Sequence, residues 1–404
     1  MRIRSSALTA ALAVTALAVT GCAGSGASEA DAAGGPYRVF VTGGISAQGS
    51  LAANAQTSVL AAKASAEAVN RAGGVGGRQV EITVVDDAGD ATNAVSKLRE
   101  AIASGKKPDL FLNSGPSTIT TATLPILAQN KILSFNIGPT EDSANPEKYP
   151  LNFDLASGPA ENAETIARYI KGKGYQSVGV VHSSSAYGEV FGQAMEDALS
   201  GAGVTGTGSE EYDSAALDMT AQLQSLKNRG TQALVVDAYG APLGYLLTSL
   251  QRLDWNIPLI GNTSVAGTSL VSKPAPDGVL GTPATANLVM HVMSSTVYDA
   301  RDTAVNTMVD NMKAMGDIPS TLILADNYDA LPLVAAAANK SDSSDPEALA
   351  EALENQDVLD SAETAFSPSY HFTAESHASK PGDEAYKFVP PSPLLNGQYG
   401  NPSA

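Results

Sequence analysis

Apolar residues along this chain switch between two periods. Tyr37 to Thr42 form a short β-rich run, a Gly/Ser loop follows, and residues 55–70 place Val59, Ala62, Ala66 and Val69 on one helical face. Gly73 to Gly77 break that helix, and Val80, Ile82 and Val84 alternate along a second strand ending at Asp86-Asp87. The alternation predicts further strands at 109–112, 132–136, 177–182, 232–237 and 257–260, and helices at 118–129, 160–171, 187–200, 215–228 and 242–252. A later helix sets Val305, Met308, Val309 and Met312 at spacings of three and four, so its methionines read as core. Another helix spans 325–338, with a kink expected at Pro332. Strands alternating with amphipathic helices predict an α/β fold of parallel sheets covered on both faces. From Ala365 the composition turns to Pro, aromatic and polar residues, which predicts short strands and loops wrapping over the body, with a frayed tail after Pro390.

The N-terminus breaks the pattern. Met-Arg-Ile-Arg precedes an apolar run from Ala7 to Val19, shorter than the ~20 residues a spanning helix needs, and Val19-Thr20-Gly21-Cys22 follows. This resembles a bacterial lipoprotein signal whose lipobox ends on the acceptor thiol, and Cys22 is the only cysteine in the chain. The expectation is a signal peptide over 1–21, a lipid on Cys22, and a flexible tether of small polar residues over 22–35. A chain with one cysteine forms no internal disulfide, so the body relies on its core alone. The formal charge of −18 becomes −20 once Arg2 and Arg4 leave with the leader. Such a surface repels phosphate backbones, which argues against nucleic acid as a partner.

Two segments carry a family resemblance. Ala68-Val69-Asn70-Arg71-Ala72-Gly73-Gly74-Val75-Gly76-Gly77-Arg78 with Val84-Val85-Asp86-Asp87-Ala88-Gly89-Asp90, and then His182-Ser183-Ser184-Ser185-Ala186-Tyr187-Gly188, are similar to the Leu/Ile/Val-type substrate-binding proteins of ABC importers. The resemblance runs in order from about Tyr37 to at least Leu333. It implies a type I periplasmic-binding fold: two doubly wound parallel-sheet lobes joined by three crossovers, with the ligand in the interlobe cleft. The expected lobes are 36–154 with 285–364, and 155–284 with 365–390, leaving 391–404 as a flexible tail. It also implies a monomer without cofactor, outside the cytoplasm, that delivers a small polar or amino-acid-like solute to permease subunits.

Open parallel sheets bind ligands beyond the carboxyl ends of their strands, where loops and helix N-termini present backbone N–H groups. The loops Asn113-Ser114-Gly115-Pro116-Ser117-Thr118 and Asn136-Ile137-Gly138-Pro139-Thr140 follow two such strands. Ser114, Ser117, Asn136, Gly138 and Thr140 are therefore candidate contacts; helix capping is the competing role for Ser117 and Thr140. Tyr187 falls where the family commonly places an aromatic over the ligand. Asp237 and Tyr239 end one later strand and Asn262 and Thr263 another, where ordinary turn chemistry competes.

Two departures bear on the ligand. Pro242 stands where amino-acid binders carry the glutamate that pairs with the α-ammonium, which argues against simple branched-chain amino acids. Asp237 is the nearby carboxylate that could serve instead. Asn54 stands where many relatives have Trp or Tyr, predicting a more polar or more open wall.

A secreted hydrolase and a sensor ectodomain of the same fold are the alternatives. The sequence has no Gly-x-Ser-x-Gly, no His-Glu-x-x-His and no Gly-x-Gly-x-x-Gly after a strand. His371 and His377 lie six apart in C-terminal loops, a spacing with no metal meaning by itself, and His291 falls in an expected crossover. Neighbours in a strand face opposite ways, so Asp86-Asp87 and Glu210-Glu211 are poor acid/base pairs. The reading is a non-enzymatic solute-binding protein.

Overall fold

The structure, a computed structural model, describes residues 35–403; the expected leader over 1–21 and Cys22 lie outside them. The first lobe opens with β1 (Tyr37–Gly43), α1 (Ser50–Arg71), β2 (Val80–Asp86), α2 (Ala91–Ala103), β3 (Leu110–Asn113), α3 (Ser117–Gln129), β4 (Leu133–Asn136) and β5 (Asn152–Asp154). Its sheet is parallel in the order β2-β1-β3-β4-β5. Every residue of β3 and β4 is buried, as a sheet with helices on both faces requires. Phe135, Phe153, Tyr370 and Phe372 sit in the largest core of this lobe.

The second lobe runs through α4 (Pro159–Lys173), β6 (Ser177–Ser183), α5 (Ala186–Ala202), β7 (Thr205–Tyr212), α6 (Thr220–Asn228), β8 (Ala233–Val236), α7 (Ala241–Arg252), β9 (Leu259–Gly261), the short α8 (Thr263–Ala266) and β10 (Leu288–Met293). Local signals set the ends of α4 and α5. Pro159 begins α4 and left-handed Gly174 stops it, while the Ser185 side chain accepts from Gly188 N–H at the start of α5. The chain returns to the first lobe for α9 (Thr303–Met315), α10 (Asn327–Ser341), α11 (Pro346–Leu353) and α12 (Gln356–Ser361). It then contributes β11 (Tyr386–Val389), antiparallel to β10, to a second sheet ordered β11-β10-β9-β8-β6-β7. Three crossovers at 155–158, 294–302 and 378–385 thus join two α/β lobes.

Several boundaries differ from the sequence reading. Residues 288–293 are a strand of the second sheet, paired with Leu259–Gly261, not part of the first lobe. Tyr370 and Phe372 pack in the first lobe's core, and His377 stacks on Phe153 at 3.9 Å, so the third crossover begins later than residue 365. The tail is not frayed throughout: β12 (Leu394–Leu395) and β13 (Gln398–Tyr399) form a hairpin, and buried Tyr399 donates to the Ala266 carbonyl at 2.5 Å. Helix α10 continues through Pro332. The sequence reading omitted α2, β5, β7, β10, α11 and α12. The β7 strand, Thr-Gly-Thr-Gly-Ser-Glu-Glu-Tyr, sits at a sheet edge and buries only Tyr212, so it carries no apolar alternation.

His291, expected in a crossover, lies buried in β10 against Tyr386 and Phe388, with ring centroids 4.6 and 5.2 Å away. Neither ring nitrogen has a hydrogen-bond partner, and burial pushes its pKa down to about 3. The unfolded chain takes up a proton near pH 6.5 that the folded chain refuses. Stability is therefore expected to fall by up to about 1.4 kcal/mol per pH unit as pH drops from about 6.5 towards about 3. His291→Phe removes that term. The stability difference between variant and wild type, from urea unfolding, should grow from pH 7 to pH 5.

Candidate functional site

The carboxyl ends of β1, β3 and β4 in one sheet and of β6, β8 and β9 in the other face a single cavity of about 420 Å³ between the lobes. A volume in the range of roughly 300–1,000 Å³ suits a small organic molecule. Eight of the predicted contacts line it: Asn54, Ser114, Ser117, Gly138, Tyr187, Asp237, Tyr239 and Thr263. Their places follow from the strand-loop-helix units: each sits in the loop or first helical turn after a strand, apart from Asn54 in the second turn of α1.

Asn136, Thr140 and Asn262 do not line the cavity, and each has local work. Asn136 bonds Asp154 in the neighbouring strand. Thr140 and Ser143 exchange two bonds, Thr140 N–H to Ser143 Oγ at 2.8 Å and Ser143 N–H to Thr140 Oγ1 at 3.1 Å. Asn262 caps α8 by accepting from Ser264 and Val265 N–H, while its amide donates to Asp237 Oδ1 at 2.8 Å. Ser117, by contrast, is the first residue of α3, whose cap position is Pro116.

The loops after β3 and β4 meet backbone to backbone. A Cβ on Gly138 would lie 2.7 Å from Ser117 N and 2.8 Å from Pro116 C. Gly138→Ala must push the two loops apart, at a cost of about 1–3 kcal/mol in stability. Calorimetry should show a lowered melting temperature together with weakened solute binding.

Asn54 is 1% exposed, so the wall it occupies is not open. Its amide donates to the Tyr239 hydroxyl at 2.7 Å and to the Gly267 carbonyl at 3.0 Å, and its oxygen accepts from Ser320. The first two bonds cross from one lobe to the other, as does the Ser50–Ser269 contact at 3.3 Å. Asn54 therefore latches a closed cleft. Burial pushes the Tyr239 hydroxyl up to about 12, which keeps it neutral.

Further along the second lobe, Asn162 donates to the Tyr187 hydroxyl at 3.0 Å and to the Ser157 carbonyl at 3.3 Å. Burial raises the Tyr187 hydroxyl above its ordinary range. Asp237 is saturated by the protein: Oδ2 accepts from Ser183 N–H at 3.2 Å and Ser183 Oγ at 2.9 Å, and Oδ1 from Asn262. Asp326, missed by the sequence reading, lines the cavity from the start of α10. Burial, assisted by Asp329, holds its carboxyl well above the ordinary carboxylate range. The sequence signal was a lone Asp at the second position of the predicted helix 325–338, with nothing to mark it as a site residue. Among the described residues no group of three or more His, Cys, Asp or Glu could hold a metal, and no helix is long and apolar enough to cross a membrane.

The family model described as periplasmic binding protein matches residues 43–382, a span that takes in every residue lining the cavity. The chain belongs to the periplasmic binding protein family. It is 26% identical over 294 residues to the leucine-, isoleucine-, valine-, threonine- and alanine-binding protein of Pseudomonas aeruginosa, covering 71% of this chain and 74% of that one. It is 23% identical over 303 residues to a Leu/Ile/Val-binding protein homolog of Brucella melitensis, covering 74% and 79%. A solved type 1 periplasmic binding protein from Bordetella pertussis superimposes with a TM-score of 0.73 at 22% identity, covering 87% of this chain and 96% of that one. Periplasmic binding proteins bind small solutes outside the cytoplasm, work with ABC permeases and are not enzymes. Within this periplasmic binding protein, Pro242 lines the cavity, so the position expected for an ammonium-binding glutamate presents an apolar ring.

Proposed function

We propose that this protein closes its two lobes over a small polar or amino-acid-like solute and hands it to an ABC importer while a lipid on Cys22 holds it at the outer face of the membrane. The observation that carries the reading is the cavity fed by both sheets and latched by Asn54 across the cleft. Only a closed form lets one solute touch both lobes, so solute shifts the equilibrium towards closure. A panel of solutes screened by thermal denaturation tests this: the bound member raises the melting temperature, and a panel without effect would remove the transport reading.

The tether of small residues and the lone cysteine support the anchor. Lipid attachment keeps the solute trap near its permease and so raises their effective concentration. Cys22→Ser is expected to move the protein from the detergent-extracted membrane fraction into the medium with solute affinity unchanged. Loss of affinity in the released variant would contradict the separation of anchor and trap.

A further inference from the structure

Among the described residues, the charged side chains lining the cavity are Asp237 and Asp326; no Lys, Arg or His joins them. The two carboxylates differ in their hydrogen bonding. Asp237 is satisfied by Ser183 and Asn262. Asp326 is 2% exposed, and its Oδ2 is shielded from water without any partner in the protein. It occupies the cap position of α10, yet its side chain makes no capping bond. A second lining residue repeats the pattern: Asn162 spends both amide protons on Ser157 and Tyr187, and its Oδ1 is buried and unpartnered.

Buried acceptors without donors cost about 1–3 kcal/mol each, more when charged, and native proteins leave few of them. Two in one cavity, with no basic side chain to meet them, are acceptors awaiting donors from outside the protein. Ile137, Pro242, Met293, Ile323 and Leu324 make the remaining walls largely apolar.

We infer that Asp326 is the counter-charge for a cationic nitrogen on the solute, with Asn162 Oδ1 accepting a further N–H, so that the ligand is an amine or a zwitterion with an apolar body. The inference rests on the solute-binding reading above. It relocates the charge pair: Asp326 offers from the start of α10 an unpartnered oxygen, which Pro242 lacks and Asp237, bonded at both oxygens, does not present. Burial holds the Asp326 carboxyl above the ordinary carboxylate range in the closed cleft, and a cation beside it favours the charged form.

The test is a thermal-shift titration of wild type and Asp326→Asn against the standard amino acids, together with the amine and the carboxylic acid that each would give without its carboxyl or its amino group. The expected result is that amines or amino acids raise the wild-type melting temperature while their deaminated acids do not. Asp326→Asn should keep the unliganded melting temperature and lose about thirtyfold or more in affinity. Wild-type affinity for the binding amine should also fall as the pH is lowered, whereas the variant's should stay flat. If a deaminated acid bound best, and bound the variant equally well, the counter-charge role would be overturned while solute capture stood. If no member bound either protein, both would fall.

Discussion

Asp329→Ala is expected to destabilise the folded protein by roughly 3–5 kcal/mol, the largest effect of any single side chain discussed here. The Asp329 carboxylate is fully buried and accepts from Ala365 N–H at 2.7 Å, Phe366 N–H at 3.0 Å, Ser367 N–H at 2.8 Å and the Tyr370 hydroxyl at 3.0 Å. It is the point where α10 holds the segment that leads to the third crossover. Alanine leaves these donors in a site that water does not reach, beside the core residues Phe366, Tyr370 and Phe372. Equilibrium unfolding in urea, followed by circular dichroism, reads the loss directly. A change below about 1 kcal/mol would mean that the segment finds other acceptors.

Asn54→Leu should act mainly on closure, since of its three bonds only the one from Ser320 lies within the first lobe. In an open cleft the Asn54 amide meets water, so its two cross-lobe bonds stabilise only the closed form. Losing the bonds to Tyr239 and Gly267 strands a buried carbonyl in that form and should weaken solute affinity about ten- to hundredfold. Isothermal titration of variant and wild type gives the ratio, and urea unfolding of the unliganded proteins shows whether the effect is confined to closure. Equal affinities would exclude the latch.

The strands and helices that wrap the two cores were readable because burial imposes a period: β1, β3, β4, β6 and β8, and helices α1, α5 and α7, all lie where apolar spacing puts them. The edge strand β7 was not readable, because an exposed edge demands no alternation. Helix α2 carried a signal that was passed over, since Asp90 caps it and Ala94 and Leu98 repeat at four. At the site, strand ends pointed to seven of the eight lining residues, since the architecture sends the loops and helix starts that follow them to the cleft whatever their sequence. Asn136, Thr140 and Asn262 share the same loops, but their side chains turn to Asp154, Ser143 and the α8 N-terminus. Which way a polar side chain turns depends on neighbours distant in sequence. For the same reason Asp326 carried no site signal, and Asn54, expected to make the wall more polar or more open, makes it polar and closed through partners more than 180 residues away.

Closure of the lobes on a solute is tested most directly by small-angle X-ray scattering of the same protein stripped of solute and then resupplied. The radius of gyration should fall when the solute that raises the melting temperature is added, and Asn54→Leu should require more of that solute for the same compaction. A radius of gyration that does not change at saturating solute would contradict the account.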